Sequence, residues 1–160
     1  MPGDMDTPNI RPFLDMIAVA ELGRALIAKS DNGYNVLVGS TPAAPKLFRS
    51  YADHPRQLVL IRAGLSSTAA GRYQVLARWY DIYRRQLGLT DFGPVAQDRI
   101  AVQQIRERLA LQLIAAGRFD EAVSRVRNIW ASLPGAGYGQ NEHSLDYLRG
   151  IYLQAGGVLA

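Results

Sequence analysis

Apolar side chains recur with helical spacing at the start of this chain and throughout its second half, and alternate strand-fashion only in between. Phe13, Leu14, Ile17, Ala18 and Glu21 succeed one another at that spacing. Pro12 suits a first helical turn and Gly23 a stop, so the stretch predicts a first helix. Residues 1–11, with Pro2, Gly3 and Pro8, read as a loose N-terminal arm. Asp31-Asn32-Gly33 is turn chemistry. Tyr34, Val36 and Val38 then alternate with Asn35 and Leu37, which predicts a short strand; 39–45 is a loop, Leu47 to Tyr51 a partner strand, and Leu58 to Ile61 a third. Beyond Gly71 the pattern turns helical. Leu76, Tyr80, Tyr83 and Leu87 form one stripe ending at Gly88; a helix from Pro94 carries Val102, Ile105 and Leu109, and Gly117 interrupts the segment after it. Ala122, Val126, Ile129 and Leu133 form the next stripe, stopped by Pro134, and Leu145, Leu148 and Tyr152 a last one before Gly156-Gly157. These elements predict a mostly helical α+β fold with a small sheet inserted after the first helix.

The chain has 160 residues, enough for one domain with a real core, and neither a repeat nor a linker divides it. Without cysteine there is no disulfide framework and no thiolate metal site. Eighteen Lys and Arg against fourteen Asp and Glu give a net charge of +4, which favours anionic partners such as nucleic acid or an anionic cell wall. The basic residues are scattered, however, and only Arg84-Arg85 form a tight pair, so no nucleic-acid partner is expected. Asp4 and Asp6 replace a basic leader, and Asp15, Glu21 and Arg24 interrupt the apolar stretch 13–28, so neither a secretory signal nor a stable membrane insertion is expected.

Glu21 lies on the face that Phe13, Leu14 and Ile17 should bury. A carboxylate there is costly unless paired or protonated, and a raised pKa is what a general acid needs near neutral pH. The alternative is a solvated helix-end carboxylate paired with Arg24 or Lys29. His54 and His143 are the only histidines, and neither has a neighbour at metal-ligand spacing, so no metal or cofactor is expected. His143-Ser144 with Asp146 is local adjacency and not triad geometry, and both histidines read as surface or loop residues. The glycines of Gly135-Ala136-Gly137-Tyr138-Gly139-Gln140 fail the dinucleotide fingerprint, because Gln140 stands at its last glycine and no strand precedes it. Trp79 and Tyr80 read as core, and Trp130 as core or cleft wall.

Further blocks carry a resemblance. They are Phe13-Leu14-Asp15-Met16 with Glu21, Gly33-Tyr34 with Val36 and Val38-Gly39, and Tyr51 with Asp53-His54-Pro55-Arg56. To these are added Ala70-Gly71-Arg72-Tyr73-Gln74, Arg78-Trp79, Arg85 through Leu89, and Asn128 through Gln140. In order and from about Arg11 to about Gly157, they resemble the lambda-type phage endolysin family. The resemblance implies a lysozyme-like fold and a lytic transglycosylase of peptidoglycan. Such an enzyme cuts the β-1,4 bond between N-acetylmuramic acid and N-acetylglucosamine and leaves 1,6-anhydro ends. It implies Glu21 as the catalytic residue and a monomer held in the host cytoplasm until a holin releases it to the periplasm. Where the family has glycine after its glutamate, this chain has Leu22, with Gly23 one later.

A single carboxyl group suits that chemistry, since the muramic C6 hydroxyl can attack from within the substrate. Tyr73, Gln74 and Tyr138 are expected to hold the sugars, with Ser132 and His54 beside them. One alternative is a hydrolytic lysozyme, with Asp31 or Asp53 as the second carboxylate that hydrolysis generally uses. A more distant one is a non-catalytic glycan- or nucleic-acid-binding domain.

Overall fold

The structure, a computed structural model, describes residues 2–135 and 142–160. Along them run α1 (Ile10–Leu22), α2 (Arg24–Ala28), β1 (Val59–Arg62), β2 (Leu65–Ser67), α3 (Ala77–Leu87), α4 (Pro94–Glu107), α5 (Leu111–Ala115), α6 (Phe119–Val126) and α7 (Leu145–Gln154). The fold is the mostly helical α+β arrangement with a small antiparallel sheet that the periodicity predicts. The chain forms two compact units, one of residues 1–21 with 101–160 and the other of residues 22–100.

In the first unit, Ile10, Phe13, Leu14, Met16, Ile17, Ala18, Val19 and Ala20 of α1 are all buried, so the helix is enclosed on nearly every side. Phe13 meets Phe119 and Tyr152 edge-on at centroid distances of 6.0 and 6.4 Å, and those two rings lie 4.7 Å apart. Ring pairs at such spacings add to the burial of their area. The N-terminal segment is not the loose arm its prolines suggest. Pro2–Asp6 forms a 3-10 turn, and Asp4 pairs with Arg106. Asn9 donates from Nδ2 to the Ile114 carbonyl and accepts the Val158 N–H, which pins the entry to α1. Leu109 departs from the expected stripe as well: α4 ends at Glu107, and Leu109 sits in the left-handed region (φ 58°), 73% exposed.

In the second unit, the two strands expected at 34–38 and 47–51 shrink to one antiparallel bridge between Val36 and Leu47. Gly33 and Gly39, both at positive φ, bound the first of them so closely that no ladder can extend. The neighbouring Leu37 bridges instead to Ala70, within the Gly71 block. The sheet proper is the β1–β2 hairpin, with Val59 opposite Ser67 and Leu60 opposite Ser66. The unit's core gathers Leu37, Phe48, Tyr80, Tyr83, Phe92 and Ile100. Tyr80 is buried as expected of the α3 stripe, but Trp79 is 43% exposed, because it projects from the helix flank with the Arg78 guanidinium 5.6 Å over its ring.

Gln97 ties this unit together. Its Oε1 accepts the Arg72 N–H at 2.9 Å, and its Nε2 donates to the Tyr34 and Phe92 carbonyls at 3.0 and 2.8 Å. That cradle needs Gly71, where φ is 85° and a Cβ would stand 2.3 Å from Gln97 Oε1. Gly71→Ala therefore combines backbone strain with a steric clash. It should cost more than about 1 kcal/mol, read as a lower midpoint in a urea unfolding curve.

Candidate active site

Glu21 occupies the last turn of α1, where the helix leaves its final carbonyls without intrahelical partners. The residue is half-buried, and desolvation of its carboxyl lifts the pKa from 4.5 to about 7. The negative end of the α1 dipole acts in the same direction. Opposing both is the hydroxyl of Ser132, which draws the pKa back down. Lys29, one of the cations expected to pair with Glu21, donates instead to the Pro42 carbonyl at 2.9 Å.

Ser132 is placed by its neighbours. Trp130 and Leu133 on either side are buried, which assigns Trp130 to the core, and a turn closes with the Leu133 N–H on the Trp130 carbonyl at 3.2 Å. Ser132 itself is only 8% exposed, and its Oγ meets no partner at full hydrogen-bond geometry among the described residues. A buried hydroxyl beside a carboxyl that gains and loses its proton can still swing toward whichever form needs it. The Ser132 carbonyl accepts the His143 N–H at 2.9 Å, and the His143 ring reaches the Ala20 carbonyl, Nε2 to O, at 3.0 Å.

The other expected ligands of a sugar among the described residues, Tyr73, His54 and Gln74, belong to the second unit. Tyr73 is 1% exposed, and its hydroxyl donates to Asp98 Oδ1 at 2.6 Å while accepting from Arg72 Nη1 at 3.0 Å. Tyr34 donates to the same Asp98 oxygen at 2.9 Å, and burial pushes its pKa up to about 12. His54 is 2% exposed; Nε2 bonds the Val75 carbonyl at 2.8 Å, and Nδ1 accepts the Arg56 N–H at 2.9 Å. With both nitrogens engaged and its ring 4.8 Å from Phe92, His54 is an interior residue, and burial pulls its pKa down. Gln74, held at φ 53°, donates from Nε2 to the Gly71 and Val36 carbonyls at 2.8 and 3.3 Å. In this arrangement the polar atoms of Tyr73 and His54 are bonded within the second unit's own interior. Tyr138 lies outside the described residues.

The two alternative carboxylates are also engaged. Asp53 receives Arg56 Nε at 2.9 Å, a bond that holds its pKa below the usual range, and Arg56 continues to Asp81 at 2.6 Å. Asp31 accepts the Tyr51 hydroxyl at 2.6 Å. Among the described residues no group of three His, Asp or Glu could hold a metal ion, and no helix is long and apolar enough to cross a membrane.

The family model described as Endolysin matches residues 11–159. The endolysin of Escherichia phage P2 is 51% identical over 157 residues, covering 95% of each chain. That of Escherichia phage lambda is 51% identical over 150 residues, covering 93% of this chain and 92% of its own. The chain belongs to the endolysin family. Its fold matches the solved structure of bacteriophage lambda lysozyme complexed with a chitohexasaccharide, with a TM-score of 0.87 and 48% identity over 95% of this chain and 96% of that one. A second structure, the lysozyme from bacteriophage lambda, matches with a TM-score of 0.83 and 47% identity, covering 95% of this chain and 96% of that chain.

This endolysin is thus an enzyme of the lambda lysozyme type, and the resemblance read from its blocks holds over nearly the whole chain. The contact that sequence reading could not foresee is that of His143. Its partner Ala20 lies 123 positions away, and no local pattern could join the two.

The shifted carboxyl has a consequence for stability. Folding raises the Glu21 pKa, so the folded chain binds that proton more tightly than the unfolded chain does. The contribution is fully present below about pH 4.5 and is lost as the pH rises through about 7. Glu21→Gln cannot ionise and should be more stable than the unsubstituted chain at pH 8, by about 3 kcal/mol at ~1.4 kcal/mol per unit. The two should converge at pH 4, which denaturant titrations at the two pH values would check.

Proposed function

We propose that this endolysin is a lytic transglycosylase of peptidoglycan, with Glu21 as its catalytic acid and base. The observation that carries the reading is one carboxyl whose pKa of about 7 keeps both its protonated and ionised forms available at neutral pH. Glu21 gives its proton to the oxygen linking N-acetylmuramic acid to N-acetylglucosamine, and the bond from that oxygen to the muramic C1 breaks. The C6 hydroxyl oxygen of the same muramic residue then bonds to C1, and its proton passes to the Glu21 carboxylate. The carboxyl is regenerated, no water is consumed, and a 1,6-anhydro end remains.

A glycan substrate is supported by the likeness to a lambda lysozyme bound to a chitohexasaccharide. The single-carboxylate route is supported by the commitments of Asp53 to Arg56 and of Asp31 to Tyr51. We further propose that the enzyme acts as a monomer, waits in the host cytoplasm and reaches the wall in the periplasm when a holin opens the way.

Glu21→Gln should reduce wall lysis to below roughly one per cent while leaving circular dichroism unchanged, since general acid–base catalysis is worth ~10²–10⁴. Asp31→Asn and Asp53→Asn should each keep substantial activity. Mass spectrometry of digested peptidoglycan should find 1,6-anhydro ends and no new reducing ends. Reducing sugar that rises in step with lysis would establish hydrolysis instead. The first step needs a protonated carboxyl, so kcat/KM should be flat below about pH 7 and fall about tenfold per unit above it, provided Glu21 is the group that limits the rate.

A further inference from the structure

We propose that His143 is a positioning residue, which holds the end of α1 with its ring and the Ser132 loop with its backbone, so that the Ser132 hydroxyl stays at the Glu21 carboxyl. The proposal rests on Glu21 as the acid and adds to that reading the group that sets its surroundings. Its basis is two hydrogen bonds made by one residue. The His143 ring meets the Ala20 carbonyl, one residue before Glu21, at 3.0 Å, and the His143 N–H meets the Ser132 carbonyl at 2.9 Å. A carbonyl oxygen can only accept, so Nε2 must carry the proton. That N–H also satisfies one of the carbonyls orphaned at the helix end.

His143 is itself held from two sides. Its ring lies 5.1 Å from that of Tyr147, tilted by 34°. The next residue, Ser144, caps α7 by accepting the Tyr147 N–H at 3.1 Å, so the whole of α7 anchors the histidine. Among the described residues Ser132 Oγ has no such anchor of its own, being buried without a partner at full geometry. Its position relative to Glu21 therefore depends on backbone, and His143 is the residue that ties that backbone to α1.

The hydroxyl matters because it favours the carboxylate form against the desolvation that favours the acid. Glu21 must pass through both forms in one turnover, so a hydroxyl that drifts away leaves the second proton transfer unassisted. Replacing His143 should act on Glu21 in the same way as removing the Ser132 hydroxyl.

The test reads Glu21 in the resting protein and in turnover. The chain has four glutamates, Glu21, Glu107, Glu121 and Glu142, so glutamate labelled with ¹³C at the carboxyl gives a spectrum simple enough to titrate. The signal lost in Glu21→Gln identifies Glu21. His143→Ala and Ser132→Ala should each move its midpoint upward and lower kcat on a soluble glycan strand by about tenfold, with KM little changed. The double variant should lose no more than either single one, because both act through one hydroxyl. His143→Gln, which can offer an N–H at the reach of Nε2, should restore the midpoint and kcat together. A fall in melting temperature for His143→Ala with an unmoved Glu21 midpoint and kcat would reduce His143 to a structural residue and overturn the proposal. So would losses that multiply in the double variant. Should His143→Ala fail to fold, long-range ¹H–¹⁵N correlation on the unsubstituted protein decides, since a proton on Nδ1 in place of Nε2 overturns the clamp. Activity retained in Glu21→Gln would sink the acid assignment alone, because the midpoint measurement needs no substrate.

Discussion

Glu21 puts a carboxyl group where its surroundings and its place on the helix both oppose ionisation. Burial removes the water that would solvate the charge, and the carbonyls at the end of α1 present their negative side to it. Holding that group costs about 3 kcal/mol at high pH by its pKa shift. Burying one large apolar side chain yields about 1.5–3 kcal/mol. Ile10, Phe13, Leu14 and Ile17 on the same helix are all within 1% of full burial, so α1 has the apolar contact to carry the carboxyl several times over. The enclosure of α1 is therefore the condition for a carboxyl that stays part-protonated at neutral pH.

The second unit treats its buried polar groups in the opposite way. Asp98 receives the hydroxyls of Tyr34 and Tyr73, Arg72 donates to Tyr73 and to the Asn32 carbonyl, and Gln97 uses both ends of its amide. The Arg72 guanidinium also lies 5.4 and 5.5 Å over the two tyrosine rings. A network satisfied to this degree is stiff and specifies one arrangement. Among the described residues Ser132 Oγ has no partner at full geometry, and a hydroxyl so placed can turn toward either form of the carboxyl beside it. The buried polar groups of the second unit and the Glu21–Ser132 pair of the first thus differ in how many hydrogen bonds hold them among the described residues.

This contrast explains what could be read from the sequence. The helices were legible because their stripes are long: Tyr80, Tyr83 and Leu148 sit where a period of 3.6 puts them. The strands at 34–38 and 47–51 were not, since alternation over five residues says nothing about glycines at positive φ on either side. Glu21 was legible as a carboxyl on an apolar stripe, a conflict visible in one dimension. The burial of Tyr73 and His54 was not legible for the converse reason. An aromatic or imidazole side chain beside glycine looks like a surface for ligands, yet its hydrogen-bond partners, Asp98 and Val75, are 25 and 21 residues distant. The bond from His143 to Ala20 spans further still, and nothing local to either residue announces it.

The resemblance implies a glycine directly after the glutamate, where this chain has Leu22, and the structure accommodates the leucine downstream of the carboxyl. The helix continues through Leu22, and the left-handed conformation falls on Gly23, at φ 78°, where a Cβ would meet nothing within 4 Å. The Leu22 side chain lies against Gly33: a Cβ there would stand 2.8 Å from Leu22 Cδ1. Gly33 is at φ 85°, a conformation in which L-residues are strained, so the space that Leu22 occupies is kept open by backbone geometry as well as by the missing side chain. Glu21 precedes these adjustments and stays on the helix, one residue after the carbonyl that His143 holds. A glycine directly after the glutamate would break the helix one residue earlier. Leu22 continues the helix past the carboxyl, and the positive-φ position falls on Gly23.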